Sequence, residues 1–224
     1  MYDWLLFDLD GTLTDPKEGI TKCIQYALHD QGVFSEELDA LSRYIGPPLM
    51  ESFSNYFDEE GCRRAVKKYR ERYEKYGMRE CRLYDGIKDV LAAAKASGKM
   101  LAMATSKPQA YAEQILKNYG IDGYIDLPLG AVTDSSTKAD VIRLVFEKAG
   151  IADNPRAHAL MIGDRKYDIE GANLCGIDSL GVYYGFAEPG ELEKEGAKYI
   201  VNTVEELKQF VEKRDSFELD RWKV

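Results

Sequence analysis

Apolar residues fall along this chain in short unbroken runs, separated by longer stretches of helical spacing. Residues 4–7 are continuously apolar and end in Asp8-Leu9-Asp10-Gly11-Thr12. A short apolar run closed by a glycine turn predicts a strand buried on both faces of a parallel sheet. The pattern returns at residues 100–104, before Thr105-Ser106-Lys107-Pro108, and at residues 157–162, before Gly163-Asp164. Weaker versions lie at residues 124–132 and 178–184. Between these runs, residues 87–97, 109–119, 139–149 and 168–175 have helical spacing, and Gly98, Gly120, Gly150 and Gly176 follow them as helix-ending glycines do. A further helix is expected over residues 203–213. Strands alternating with single helices predict an α/β fold with a doubly wound, Rossmann-like parallel sheet.

The rhythm breaks between residues 16 and 84, where only helices are expected: 20–31, a short piece at 35–44, 49–57 and 60–76. In the last of these, Val66, Tyr69, Tyr73 and Tyr76 form a helical stripe that reads as core, with Arg63, Lys67, Arg70 and Glu74 on other faces. The expected organisation is therefore an α/β core of residues 1–15 and 85–224 interrupted by an all-helical domain of residues 16–84.

Composition narrows the chemistry. The 224 residues are 45% hydrophobic and include 30 Lys and Arg against 39 Asp and Glu, a formal net charge of -9. So acidic a chain lacks the basic stripe that nucleic-acid phosphates demand. Two histidines, His29 and His158, rule out a three-histidine zinc site and are expected to be structural. Cys23, Cys62, Cys81 and Cys175 form no C-x-x-C pair, as expected of reduced thiols in the cytoplasm. No apolar run approaches the length of a membrane span, so no membrane partner is expected.

The chemistry gathers at the strand ends, where open α/β sheets bind their ligands. The first strand delivers Asp8 and Asp10, the strand at 100–104 delivers Thr105 and Ser106, and the strand at 157–162 delivers Asp164 with Asp168 close behind. Lys138 follows the polar loop 133–137. Carboxylates, hydroxyls and one lysine on a single edge suit a phosphate and a hard cation. Asp8 is placed to attack phosphorus and form an aspartyl-phosphate, dividing one hydrolysis into two steps. Asp10, two residues on, is placed to protonate the leaving oxygen and then to activate water. Mg²⁺ favours carboxylate, carbonyl, water and phosphate oxygens; Asp8, a backbone carbonyl near Asp10, Asp164 and Asp168 offer such a set. Thr105 and Ser106, just before Pro108, are expected at a helix N-terminus whose N–H groups hold phosphate oxygens. Lys138, in the first turn of a helix capped by Ser136 or Thr137, opposes the helix dipole, as a lysine placed to neutralise Asp8 and the phosphate would. Arg165 and Lys166 are expected to be solvent-exposed.

The run Phe7-Asp8-Leu9-Asp10-Gly11-Thr12-Leu13 resembles the first motif of the haloacid dehalogenase superfamily. Thr105 resembles its second motif, Lys138 its third, and Gly163-Asp164 with Asp168 its fourth, in the family's order across nearly the whole chain. The resemblance implies a Rossmann-like core, a helical cap inserted between the first two motifs, and Mg²⁺-dependent phosphoryl chemistry through Asp8. Within the superfamily the chain is similar to the phosphoglycolate phosphatase-like branch, through Thr14-Asp15-Pro16-Lys17-Glu18-Gly19-Ile20-Thr21, Tyr44-Ile45-Gly46-Pro47-Pro48-Leu49 and Thr105-Ser106-Lys107-Pro108, and equally to bacterial 5′-nucleotidases. A Lys-Pro pair marks the third motif of phosphoglycolate phosphatases, whereas Lys138 is followed by Ala139. The resemblance implies hydrolysis of a small phosphorylated metabolite; a β-phosphoglucomutase-type phosphomutase shares every core motif and is the alternative.

Overall fold

The computed structural model describes residues 2–151, 154–213 and 216–224. In chain order, β1 (Trp4–Phe7) and β2 (Thr14–Asp15) lead into α1 (Lys17–Asp30), α2 (Leu49–Phe53) and α3 (Glu59–Lys75), and then into β3 (Arg82–Leu83). There follow α4 (Ile87–Ala96), β4 (Met100–Pro108), α5 (Gln109–Tyr119), β5 (Leu127–Ala131), α6 (Lys138–Ala149) and α7 (Pro155–His158). The chain closes with β6 (Ala159–Gly163), α8 (Lys166–Leu174), β7 (Asp178–Val182), α9 (Glu191–Lys194), β8 (Tyr199–Val201) and α10 (Val204–Glu212). It divides into two compact units, Met1–Leu13 with Leu83–Val224, and Thr14–Arg82.

In the first unit six strands form one sheet in the order β5-β4-β1-β6-β7-β8, with every pairing parallel. Alternation along each strand sends side chains to two apolar layers. Leu5, Phe7, Leu101, Met103, Leu160 and Ile162 pack on one face, against residues of α4, α5 and α10. Leu6, Ala102, Ala104 and Met161 pack on the other, against Val141, Ile142 and Val145 of α6 and Ala172 of α8. Burial on both faces is why these strands read as unbroken apolar runs. From β1 the strand order runs outward to β4 on one side and to β6 on the other. That reversal opens a crevice at the carboxyl ends of the strands.

The second unit carries α1, α2 and α3, and its strand residues lie only at its two ends. Asp15 Oδ1 accepts the Lys17 N–H at 3.1 Å and starts α1 three residues before the expected point. Asp58 caps α3 by accepting the Gly61 N–H at 2.8 Å. Val66, Tyr69 and Tyr73 are buried, and the two tyrosine rings stack 5.5 Å apart. Tyr76, expected in the same stripe, is 50% exposed because α3 ends at Lys75. The piece expected at 35–44 reduces to a 3₁₀ turn over Ala40–Tyr44, and the helix expected at 49–57 stops at Phe53. Two features of the first unit also differ from expectation. Pro155 starts a separate one-turn helix, so β6 begins at Ala159, and the three-residue β8 is too short to show a period.

At the edge of the sheet remote from the crevice, Asp178 opens β7 and is 5% exposed. It accepts hydrogen bonds from Tyr2 Oη at 2.7 Å, Lys198 Nζ at 2.6 Å and Arg156 Nε at 3.0 Å. Burial alone would raise its pKa, but the Lys198 and Tyr2 hydrogen bonds outweigh burial and hold the carboxyl below the ordinary value. A carboxyl lowered on folding contributes stability above its unfolded pKa of about 3.9 and loses it as pH falls through the folded value. Asp178→Asn is therefore expected to lower stability by roughly 1–3 kcal/mol at pH 7. In urea titrations across pH the gap to wild type should close below about pH 4; a gap independent of pH would contradict the ionic account. Among the described residues no helix is long and apolar enough to cross a membrane, and no disulfide joins the cysteines.

Candidate active site

Asp8 follows β1 directly and donates its own N–H to the Ile162 carbonyl at 2.9 Å, so the ends of β1 and β6 are locked in register. Gly11 then turns the chain with φ +86°, a conformation open to glycine. A side chain there would also collide with the Asp164 carboxylate. Glycine is demanded at this position by both conformation and space.

Lys138 is the first residue of α6, whose N-cap is Thr137; Thr137 Oγ1 accepts the Asp140 N–H at 3.2 Å. Its stem runs over Gly171 of α8, where an added Cβ would stand 2.7 Å from Lys138 Cγ. Its ammonium donates to the Ala104 carbonyl at 2.9 Å and lies 2.8 Å from Asp8 Oδ1 and 2.7 Å from Asp168 Oδ1. Neither carboxylate oxygen accepts a well-directed hydrogen bond, so these two contacts are ion pairs. Burial alone would push the Lys138 ammonium down, but Asp168 and Asp8 outweigh burial and hold it above the ordinary lysine value. It carries its charge at neutral pH.

Asp164, at the end of β6, is fully buried. Its Oδ1 accepts from Thr12 Oγ1 at 3.3 Å and its Oδ2 from the Phe186 N–H at 2.8 Å. Burial, then the Asp168 and Asp8 charges, push its carboxyl well above the ordinary value against the pull of the Phe186 N–H. Asp168 sits in the first turn of α8, and its Oδ2 accepts the Arg165 N–H at 3.0 Å. Burial raises it to about 6, with Lys138 opposing and Asp8 adding to the shift. Gly163 makes room for it, since a Cβ there would overlap the Asp168 carboxylate.

Asp8, Asp164 and Asp168 each offer a carboxylate oxygen within 4.8 Å of the others. Two of these three buried carboxylates, Asp8 and Asp168, flank one ammonium, and one oxygen of each lacks a directed donor. A hard divalent cation fits that donor set. The Asp10 carboxylate is not a member of that set; its Oδ2 lies 2.6 Å from Lys107 Nζ.

Thr105 is 2% exposed, and its Oγ1 accepts the Lys107 N–H at 3.3 Å; Ser106 is exposed. The helix expected at 109–119 starts at Gln109, with Pro108 as its N-cap rather than its first residue. The chain stays extended through Pro108, and α5 begins at Gln109 without a side-chain cap. The cause is a bulge: the β4–β5 register shifts between Thr105 and Pro108, and Gln109 is held by Pro128 and Gly130 of β5. A bulge re-aims a side chain, and here it turns Lys107, whose side chain is 7% exposed, onto Asp10.

Arg165, expected in solvent, is buried and donates from Nε to Glu191 Oε1 at 2.9 Å. Sequence reasoning also missed Lys107, Gly171, Gly185 and Glu191 as parts of this region. Lys107 carried a signal, as a cation inside the polar turn after a buried strand. The other three are defined only by what lies across from them.

Comparison with known proteins shows the family. A family model described as haloacid dehalogenase-like hydrolase matches residues 5–182. A 5′-nucleotidase of Pseudomonas aeruginosa is 39% identical over 215 residues, covering 94% of this chain and 96% of that protein. The tyrosine-protein kinase PtkA of Mycobacterium tuberculosis is 33% identical over 207 residues, covering 92% of this chain and 71% of that protein. The crystal structure of a predicted phosphatase from Clostridium acetobutylicum superposes with a TM-score of 0.89 at 44% identity, covering 94% of this chain and 98% of that one.

Proposed function

We propose that this chain, which belongs to the haloacid dehalogenase-like hydrolase family and is a phosphatase of that family, hydrolyses small phosphate monoesters through an aspartyl-phosphate on Asp8. The observation that carries the reading is the buried Asp8, Asp164 and Asp168 set, two of whose members pair with Lys138, with Asp10 two residues on from Asp8. An Asp8 oxygen attacks phosphorus as the ester bond breaks, and Asp10 gives a proton to the leaving alcohol. Asp10, now a carboxylate, takes a proton from water as that water attacks the phosphoryl group on Asp8, releasing inorganic phosphate. Lys138 orients Asp8 and offsets charge on the phosphoryl oxygens, which Thr105 and Ser106 bind. Mg²⁺, held by Asp8, Asp164, Asp168 and the Asp10 backbone carbonyl, would supply electrostatic stabilisation of that charge when bound.

A nucleoside 5′-monophosphate is the favoured substrate. Support comes from the 39% identical relative named 5′-nucleotidase and from Ala139 in place of the proline that marks phosphoglycolate phosphatases. Phosphate release should be measured with Mg²⁺ across nucleoside 5′-monophosphates, phosphoglycolate, sugar phosphates and pyrophosphate. Turnover of the nucleotides without a bisphosphate activator is the expected result. Isomerisation of a sugar phosphate would instead favour the mutase, and no Mg²⁺-dependent release from any ester would overturn phosphatase chemistry here. On the best substrate, Asp10→Asn should slow turnover roughly 10²–10⁴-fold, the scale of general acid–base assistance. A near-normal rate would remove Asp10 from that role.

A further inference from the structure

Residues 184–191, which follow β7, take no part in the chemistry just described, yet they touch both ends of the carboxylate set. At one end Tyr184 Oη donates to the Thr12 carbonyl at 2.9 Å, and its ring meets Tyr84 edge-on at 5.0 Å. Thr12 Oγ1 in turn donates to Asp164 Oδ1 at 3.3 Å, and the Phe186 N–H reaches Asp164 Oδ2 at 2.8 Å. Gly185 lies between these two anchors, and a Cβ there would collide with the Gly11 carbonyl and the Asp164 side chain. Its backbone is not left-handed, so space alone selects glycine.

At the other end Glu191 Oε1 accepts from Arg165 Nε at 2.9 Å and from the Lys166 N–H at 2.7 Å, while Oε2 accepts the Glu188 N–H at 3.0 Å. Burial alone would raise the Glu191 carboxyl, but Arg165 and the two N–H groups hold it below the ordinary value. Glu191 thereby fixes the start of α8, and the Arg165 N–H at that start donates to Asp168 Oδ2 at 3.0 Å. One short segment thus sets Asp164 directly and Asp168 through Arg165.

We propose that residues 184–191 form a clamp that holds Asp164 and Asp168 in cation-binding geometry, with Gly185 and Glu191 as its positioning residues. The proposal rests on the reading that these aspartates hold Mg²⁺. Groups that orient metal ligands without touching the metal typically change affinity ~10–100-fold when replaced.

The test is calorimetric titration of Mg²⁺ into wild type, Gly185→Ala, Glu191→Gln, Asp164→Asn and Asp178→Asn, with circular dichroism to confirm folding. Gly185→Ala and Glu191→Gln are expected to weaken Mg²⁺ binding at least tenfold, and the Mg²⁺ needed for half-maximal turnover should rise in parallel. Asp178→Asn, which destabilises the same sheet at its remote edge, should leave Mg²⁺ binding unchanged. That contrast separates positioning from general loss of stability. Folded Gly185→Ala and Glu191→Gln proteins that bind Mg²⁺ within twofold of wild type would overturn the clamp. If Gly185→Ala fails to fold, the near-isosteric Glu191→Gln decides alone. Wild type that binds no Mg²⁺, or binding indifferent to Asp164→Asn, would overturn the metal reading itself and the clamp with it.

Discussion

Asp8→Asn is expected to abolish turnover while leaving the fold intact. The amide keeps the shape of the carboxylate but offers no nucleophilic oxygen, so no aspartyl-phosphate forms. Loss of a covalent nucleophile acts on the scale of roughly 10⁶ in kcat. The fold should tolerate the change because Lys138 keeps its contacts to Asp168 and the Ala104 carbonyl. One negative charge is also removed from a cluster that holds an excess of them. Steady-state phosphate release and a urea titration check both halves. A rate within about tenfold of wild type would displace Asp8 from the nucleophile's role, since a single hydrogen bond accounts for a change of that size.

Lys138→Met should damage stability and activity together. The methionine fills a similar path over Gly171 but leaves Asp8 and Asp168 facing each other without their shared ammonium. Removing one member of a buried ionic cluster leaves an uncompensated charge and costs about 3–5 kcal/mol. Activity should fall on the order of 10²–10³-fold, as when a preorganised donor to the reacting charge is removed. Urea unfolding in the presence of a chelator, followed by turnover at saturating Mg²⁺, separates the two effects. A variant of wild-type stability would show that the two aspartates tolerate each other unaided, and the role of Lys138 would then be limited to the substrate.

Much of this molecule is legible in one dimension. The apolar runs at 4–7 and 100–104 become central strands because burial on both faces leaves no polar position in them. Gly120 and Gly150 end α5 and α6 in left-handed conformation, as their place after each helix implied. Thr137 caps α6, and Lys138 stands at its start. These features are local, set by a residue and its neighbours within a turn or two. Errors arose where a local rule met a distant partner. Pro108 looks like a helix start, but pairing with β5 keeps it extended. Arg165 looks like a surface cation, but Glu191, 26 residues on, draws it inside.

By itself, the sequence determined which residue types stand at the strand ends: four aspartates, two hydroxyls and a lysine in an order that suits phosphoryl transfer. Tertiary structure alone decided how those groups meet. Lys138 reaches Asp8 from 130 positions away, Thr12 reaches Asp164 across 152, and the β4 bulge turns Lys107 onto Asp10. The physical reason is that side-chain period and turn chemistry act over a few residues, whereas strand order, register and loop docking follow from packing two apolar faces at once. Only that packing brings three carboxylate oxygens within 4.8 Å of one another and leaves no room for a side chain at Gly11, Gly163 or Gly185.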